Sequence, residues 1–320
     1  MSSTLAPITL DVERPINDVA TELFDATIAQ IDAGRFAPAM DAMIDGLLQL
    51  RAAYPVEQWR QFSQYDCLHH PVKEIAHADP MTRRAFLKPR GYPGDAGILD
   101  LIYRAVPLPV DITRLGARVY SHTTSHPACA SVRARRDLLA RLVDETAARV
   151  EQPRVLSVAC GHLREAQASS AVAAGGIGAY YALDQDRESL ALIEREMGSM
   201  GVTTVNESVR SLVTGRVDLS NLDLAYAAGL YDYLGLPVAV AVTRAMLHMV
   251  KPGGRVVVAN FAPNLTDIGY METFMAWNLI YRDEAGMEEI AAGLPKDLVA
   301  SSRSFRDIDG NIVYLEVVRS

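Results

Sequence analysis

Cysteine is scarce in this chain: three in 320 residues, Cys67, Cys129 and Cys160, with no Cys-x-x-Cys pair among them. That excludes a disulfide framework and a cysteine-built metal centre. No apolar run approaches the roughly 20 residues needed to span a bilayer, and the first residues lack the pattern of a secretory signal. No membrane partner is therefore expected, and the cytoplasm is the expected compartment. Positive charge is in deficit, with 31 Lys and Arg against 39 Asp and Glu and a formal net charge of −8, which argues against a nucleic-acid partner. Internal repeats and low-complexity tracts are lacking. The pair His69-His70 has no carboxylate or cysteine at a ligand's spacing, so no metal is expected.

What is present is a chain 49% hydrophobic, enough for a large core in one big domain or two modest ones. Its most informative stretch is Arg154 to Gly161, an apolar, β-branched run that stops on small residues and hands over to a helix from about Leu163. Such a strand-to-helix turn brings backbone N–H groups and a helix N-terminus against a ligand. A second apolar strand, Gly178 to Asp184, places a carboxylate at its end, 23 residues after Gly161 (184 minus 161), where an acid can take both hydroxyls of a ribose. Leu222 to Gly229 and Lys251 to Asn260 continue the alternation of strand and helix. Arg133 to Val150 reads as a long helix leading into the first strand. The tail from Ser302 reads as a hairpin turning at Asp309-Gly310. Near-helical spacing of apolar residues from Ile16 to Ala53 predicts two amphipathic helices.

At these residues the chain resembles the class I S-adenosylmethionine-dependent methyltransferases. The first-strand motif of that family is an acid followed by Gly-x-Gly-x-Gly, whereas Ser157, Ala159, Gly161 and Leu163 stand at those places here. Only the middle glycine remains, which also counts against a nicotinamide-dependent dehydrogenase, since close approach of backbone to two phosphates wants glycine. The resemblance implies a Rossmann-like, doubly wound, seven-stranded α/β sheet ending in an antiparallel hairpin, with S-adenosyl-L-methionine as cofactor. It implies that Ala159, Cys160, Gly161 and Glu165 frame the methionine end and that Asp184 and Gln185 meet the ribose. Asn206, Ser208 and Val209 would lie by the adenine, and Ala228 and Gly229 where sulfonium and acceptor meet. Tyr231 and Tyr233 would be positioning groups for the reaction. Asp186 reads as a helix N-cap.

A finer resemblance covers roughly residues 68 to 320. Lys88 to Asp95, Ala159 to Glu165, Leu183 to Asp186 and Tyr270 to Arg282 are similar to the bacterial extracellular-factor methyltransferases, the family of 3-hydroxypalmitic acid methyl ester biosynthesis. This implies a small-molecule acceptor bearing a carboxylate, converted to a methyl ester. Arg90 and Tyr92, in a turn stiffened by Pro89, Gly91, Pro93 and Gly94, together with Asn260, Trp277, Tyr281 and Arg282, are the candidate acceptor-binding residues, because a guanidinium grips a carboxylate through two parallel bonds. The domains are expected to be 1–128, a helical N-terminal cap and lid, and 129–320, the catalytic sheet domain. N- or S-methylation of an amino-acid-like or natural-product acceptor stays open, as do, more remotely, the dehydrogenase and a catalytically silent cofactor-binding regulator. For an amine or hydroxyl acceptor, His69, His70 or Tyr233 would be the base. The oligomeric state, with a homodimer among the options, is not set by the sequence.

Overall fold

The structure is a computed structural model and describes residues 13–320. Its centre is one sheet built from β1 (Arg154–Val158), β2 (Ala179–Asp184), β3 (Val202–Asn206), β4 (Leu222–Ala227), β5 (Val250–Phe261), β6 (Val299–Arg306) and β7 (Ile312–Arg319). The order across the sheet is β3-β2-β1-β4-β5-β7-β6. The first five strands run parallel, and β7 lies antiparallel to both β5 and β6, so the expected α/β class and terminal hairpin are found. Its turn passes through Gly310 at φ +73°, the conformation a glycine adopts without steric cost.

Burial explains which sequences became which strands. All six residues of β4 are buried, as are the last four of β1, which is what a parallel strand covered on both faces requires. The edge strand β6 instead exposes Ser301, Ser302 and Arg303, and a polar edge discourages pairing with another chain. The strand order reverses between β1 and β4, so the loops after β1, β2 and β4 converge at one edge, the place where such sheets bind ligands.

The described residues form two compact units, 13–130 with Leu265–Asn278, and Ser131–Asn264 with Leu279–Ser320. The second holds the sheet. The first is helical, and its two leading helices, Ile16–Asp32 and Phe36–Ala53, stand where the spacing puts them. The segment 265–278 is an excursion of the chain from the sheet unit into the helical unit. There the helix Ile268–Phe274 buries all seven residues. Gly269 sits so close to the helix Phe36–Ala53 that a Cβ would lie 2.6 Å from the Leu47 carbonyl carbon, while Glu272 accepts bonds from Trp59 Nε1 (2.6 Å) and Arg51 Nε (2.9 Å). No composition change marks the excursion, because its partners lie some 200 residues away along the chain. The long helix starts earlier than expected, spanning Pro127–Arg149. Among the described residues no helix is long and apolar enough to cross a membrane.

Candidate functional site

The turn after β1 keeps the backbone that glycines would have given it. Ala159, Gly161 and Leu163 have φ of +53°, +54° and +51°, so all three alternate positions are left-handed although only one is glycine. A side chain in that region costs roughly 1 kcal/mol or more. Strain of this kind persists only where surrounding structure imposes it. Here the Cys160 N–H donates to the Leu183 carbonyl on β2 (3.1 Å), and the Gly161 N–H donates to Asp184 Oδ2 (2.9 Å). The Cys160 donor is thereby engaged by the sheet, and burial pushes its thiol well above the ordinary range.

Asp184 ends β2 as expected, and each of its oxygens already accepts one backbone bond, from Gly161 and from Asp186 (2.9 Å). A carboxylate offers about four acceptor positions, so lone pairs remain for a diol. Burial raises its pKa against those backbone bonds. Asp186 caps the following helix through the Glu188 N–H. Asn206, ending β3, donates to the carbonyls of Asp184 and Gln185 and so ties two strand ends together, while Gln185 itself is exposed. Ser208 caps the helix Val209–Val213, which gives its hydroxyl a structural task, and Val209 is half-buried.

Buried charge gathers beside this turn. Glu165, 6% exposed, accepts from Tyr226 (2.7 Å) and Ser157 (3.4 Å), with Tyr226 backed by Tyr180 (2.5 Å). Burial raises the pKa of Glu165, against the hydrogen bonds and the Arg135 charge. Arg135, 3% exposed, has Nε and Nη1 without hydrogen-bond partners. Its Nη1 lies 4.0 Å from Asp232, and its Nη2 lies 3.6 Å from where a Cβ on Gly229 would stand. Asp232 takes the Phe261 N–H (2.7 Å), and burial lifts its pKa to about 6, with Arg135 acting the other way. Ala228 and Gly229 border the same place at the end of β4 and are half-buried.

Sequence reasoning missed Arg135 and Asp232. The signal for Arg135 was available: it falls in the buried stripe of its helix, between Val132 and Leu139, and an arginine at helical spacing within an apolar stripe needs a reason.

Several candidates have other work. Tyr231 is buried, with its hydroxyl on Thr243 (2.6 Å), and is a packing residue. Tyr233 is the exposed member of the pair. Arg282 is buried, and its Nη1 donates to the Tyr231 carbonyl (2.8 Å) and Asn260 Oδ1 (2.7 Å) and its Nη2 to the Leu234 carbonyl. Asn260 completes that lock by donating to the Phe261 and Ile280 carbonyls. Both hold the loop after β4 against the end of β5. Trp277 and Tyr281 lie beyond the helix Ile268–Phe274, and Ala276 has φ +47°.

In the helical unit, Arg90 and Tyr92 lie in the expected tight turn, with Gly91 at φ +89°, both half-buried. Asp95 is a local residue, capping the helix Ala96–Tyr103 and pairing with Arg84 through two bonds of 2.8 Å. His70 meets Asp25 (3.3 Å).

No family model matches the chain, and no curated protein matches it in sequence. Among solved structures, a protein of Bordetella parapertussis described as a possible exported protein is similar over 98% of this chain and 99% of its own, with 16% identity and a TM-score of 0.61, a likeness of fold. The N-methyltransferase NodS of Bradyrhizobium japonicum, in complex with S-adenosyl-L-homocysteine, is 14% identical over 69% of this chain and 99% of its own, TM-score 0.43. The magnesium protoporphyrin IX methyltransferase of Synechocystis with bound S-adenosylmethionine is 13% identical over 60% and 83%, TM-score 0.41.

Proposed function

We propose that the protein is an S-adenosylmethionine-dependent methyltransferase acting on a small molecule whose carboxylate becomes a methyl ester, as in the extracellular-factor family that it resembles. The observation that carries this reading is the left-handed triplet Ala159, Gly161 and Leu163 closing on Asp184 at the reversal point of a β3-β2-β1-β4-β5-β7-β6 sheet. A backbone that keeps that shape without its glycines, at a cost in strain, points to a ligand-binding turn.

The donor set fits the cofactor. Its methionine end is a zwitterion, and the site offers a buried guanidinium with unpartnered Nε and Nη1 beside two buried acids, Glu165 and Asp232. Arg135 would take the carboxylate, the acids the ammonium, and Asp184 the ribose diol. When bound, the cofactor supplies an electrophilic methyl group on a sulfonium. The protein's part is then to hold the acceptor oxygen in line and keep water out. A carboxylate acceptor is ionised at neutral pH and needs no base.

Calorimetry tests the cofactor: S-adenosyl-L-homocysteine should bind and NAD should not, and the opposite pattern would end the methyltransferase reading. Mass spectrometry of a metabolite extract incubated with methyl-labelled cofactor tests the chemistry. Label should appear as an ester, cleaved by mild base, whereas base-stable label would turn the reading towards nitrogen or sulfur.

A further inference from the structure

The helical unit carries a second cluster that the methyl-transfer reading does not use. His122, at the end of the helix Arg114–Thr123, and His126, just before the helix Pro127–Arg149, turn their Nε2 atoms to within 3.1 Å of each other. Asp41, from the helix Phe36–Ala53, brings Oδ1 to 3.0 Å from His122 Nε2 and 3.5 Å from His126 Nε2. Three potential ligand atoms thus form a small triangle.

Its dimensions are those of a coordination face. Ligands at about 2.1 Å from an ion are separated by about 3.0 Å at right angles and about 3.4 Å at the tetrahedral angle. The three edges here, 3.0, 3.1 and 3.5 Å, cover that range. Two imidazoles meeting through Nε2 can otherwise share only one proton between them.

The surroundings have the second element of such a site. Behind His126, Asp267 Oδ1 lies 3.3 Å from Nδ1, which fixes the ring so that Nε2 presents its lone pair to the cluster, the arrangement in which a carboxylate orients a metal-bound histidine. Asp267 is itself held, accepting the Ala128 N–H on Oδ2 (2.7 Å) and the Thr266 hydroxyl on Oδ1 (3.2 Å). The two histidine side chains are 12% and 18% exposed and Asp41 is 56% exposed, so an ion can enter from solvent and keep water in its remaining positions.

We propose that His122, His126 and Asp41 bind a first-row divalent transition-metal ion of zinc's class, with Asp267 orienting His126. Two imidazole nitrogens select such an ion over magnesium or calcium, which prefer oxygen. An ion there would join the helix of Asp41 to the helices on either side of the 123–127 turn, and so stabilise the helical unit.

The test uses the full chain without a histidine tag, stripped with chelator and titrated with Zn²⁺ and, separately, Co²⁺. One equivalent of either should bind, Co²⁺ should develop visible absorption, and Zn²⁺ should raise Tm, while Mg²⁺ and Ca²⁺ should do none of these. Asp41→Asn changes an exposed side chain and should fold normally; it and His122→Gln should weaken Zn²⁺ binding, and Asp267→Asn should weaken it about tenfold by freeing the His126 ring. Proton-coupled pairing of the histidines alone would leave no stoichiometric site and no cobalt spectrum. That result, or Zn²⁺ affinity unchanged in both Asp41→Asn and a His122→Gln/His126→Gln double variant, overturns the proposal.

Discussion

Two buried charges show how differently the two units of this molecule use them. In the helical unit Asp79 is wholly enclosed, and its carboxylate accepts bonds from the Met81 N–H (2.8 Å) and the Thr82 and Thr123 hydroxyls (2.7 and 2.9 Å). In the sheet unit Arg135 is almost as deeply buried, yet two of its nitrogens have no hydrogen-bond partner. A buried group with its bonds made holds the fold together. One left without them carries a desolvation penalty that folding does not offset, and the offset is expected from a ligand. The same contrast separates Arg282, which is fully engaged, from Arg135.

The contrast breaks most sharply under substitution. Asp79→Ala leaves three donors around an empty space and should cost about 3 kcal/mol of stability, read as a lowered midpoint in urea unfolding. Should that midpoint hold, the bonds around Asp79 are not structural. Arg135→Met should do the reverse. It removes an imperfectly paired buried charge, so stability should stay level or rise, while affinity for S-adenosyl-L-homocysteine falls by about 1.5–3 kcal/mol. Against 5′-methylthioadenosine, which lacks the amino-acid end, wild type and variant should bind alike. A loss of stability without a loss of affinity would place Arg135 among the structural residues.

A pH series sharpens the comparison. Burial lifts the Asp79 pKa to about 6 from 3.8, so its protonated form favours the folded state. That contribution is complete below the unfolded value and is lost as pH rises through about 6. The Tm of Asp79→Asn should therefore improve relative to wild type between about pH 4 and pH 6, and parallel curves would contradict the raised pKa. The smallest effect is expected at the strained turn. Ala159→Gly relieves a left-handed side chain and should gain up to about 1 kcal/mol with cofactor-product binding retained. A destabilised variant would mean that the alanine methyl, rather than the turn's shape, is what the site needs.

Asp184→Ala acts on two things at once. That carboxylate pins the Gly161 and Asp186 N–H groups, so its removal should loosen the turn as well as weaken the proposed cofactor binding.

The parts of this protein that its sequence determined by itself are those whose signals are local. Strands β1, β2, β4 and β5 declare themselves as short apolar runs ending on turn residues, the hairpin by Asp309-Gly310, the leading helices by spacing, and Asp184 by its place at the end of β2. Each follows from neighbouring residues acting within a few turns of chain. The tertiary structure alone decided what the longer side chains do. Arg282 and Asn260 had the chemistry of recognition, and the fold engaged them in holding a loop. Arg135 was hidden in a helix, and packing left two of its nitrogens without hydrogen bonds beside Gly229. His122 and His126 stand four apart, but the Asp41 and Asp267 that complete their cluster come from positions on opposite sides of them in the chain. Partners so distant in sequence meet only once the helices pack, and no local pattern encodes which hydrogen bonds the packed state will leave unmade.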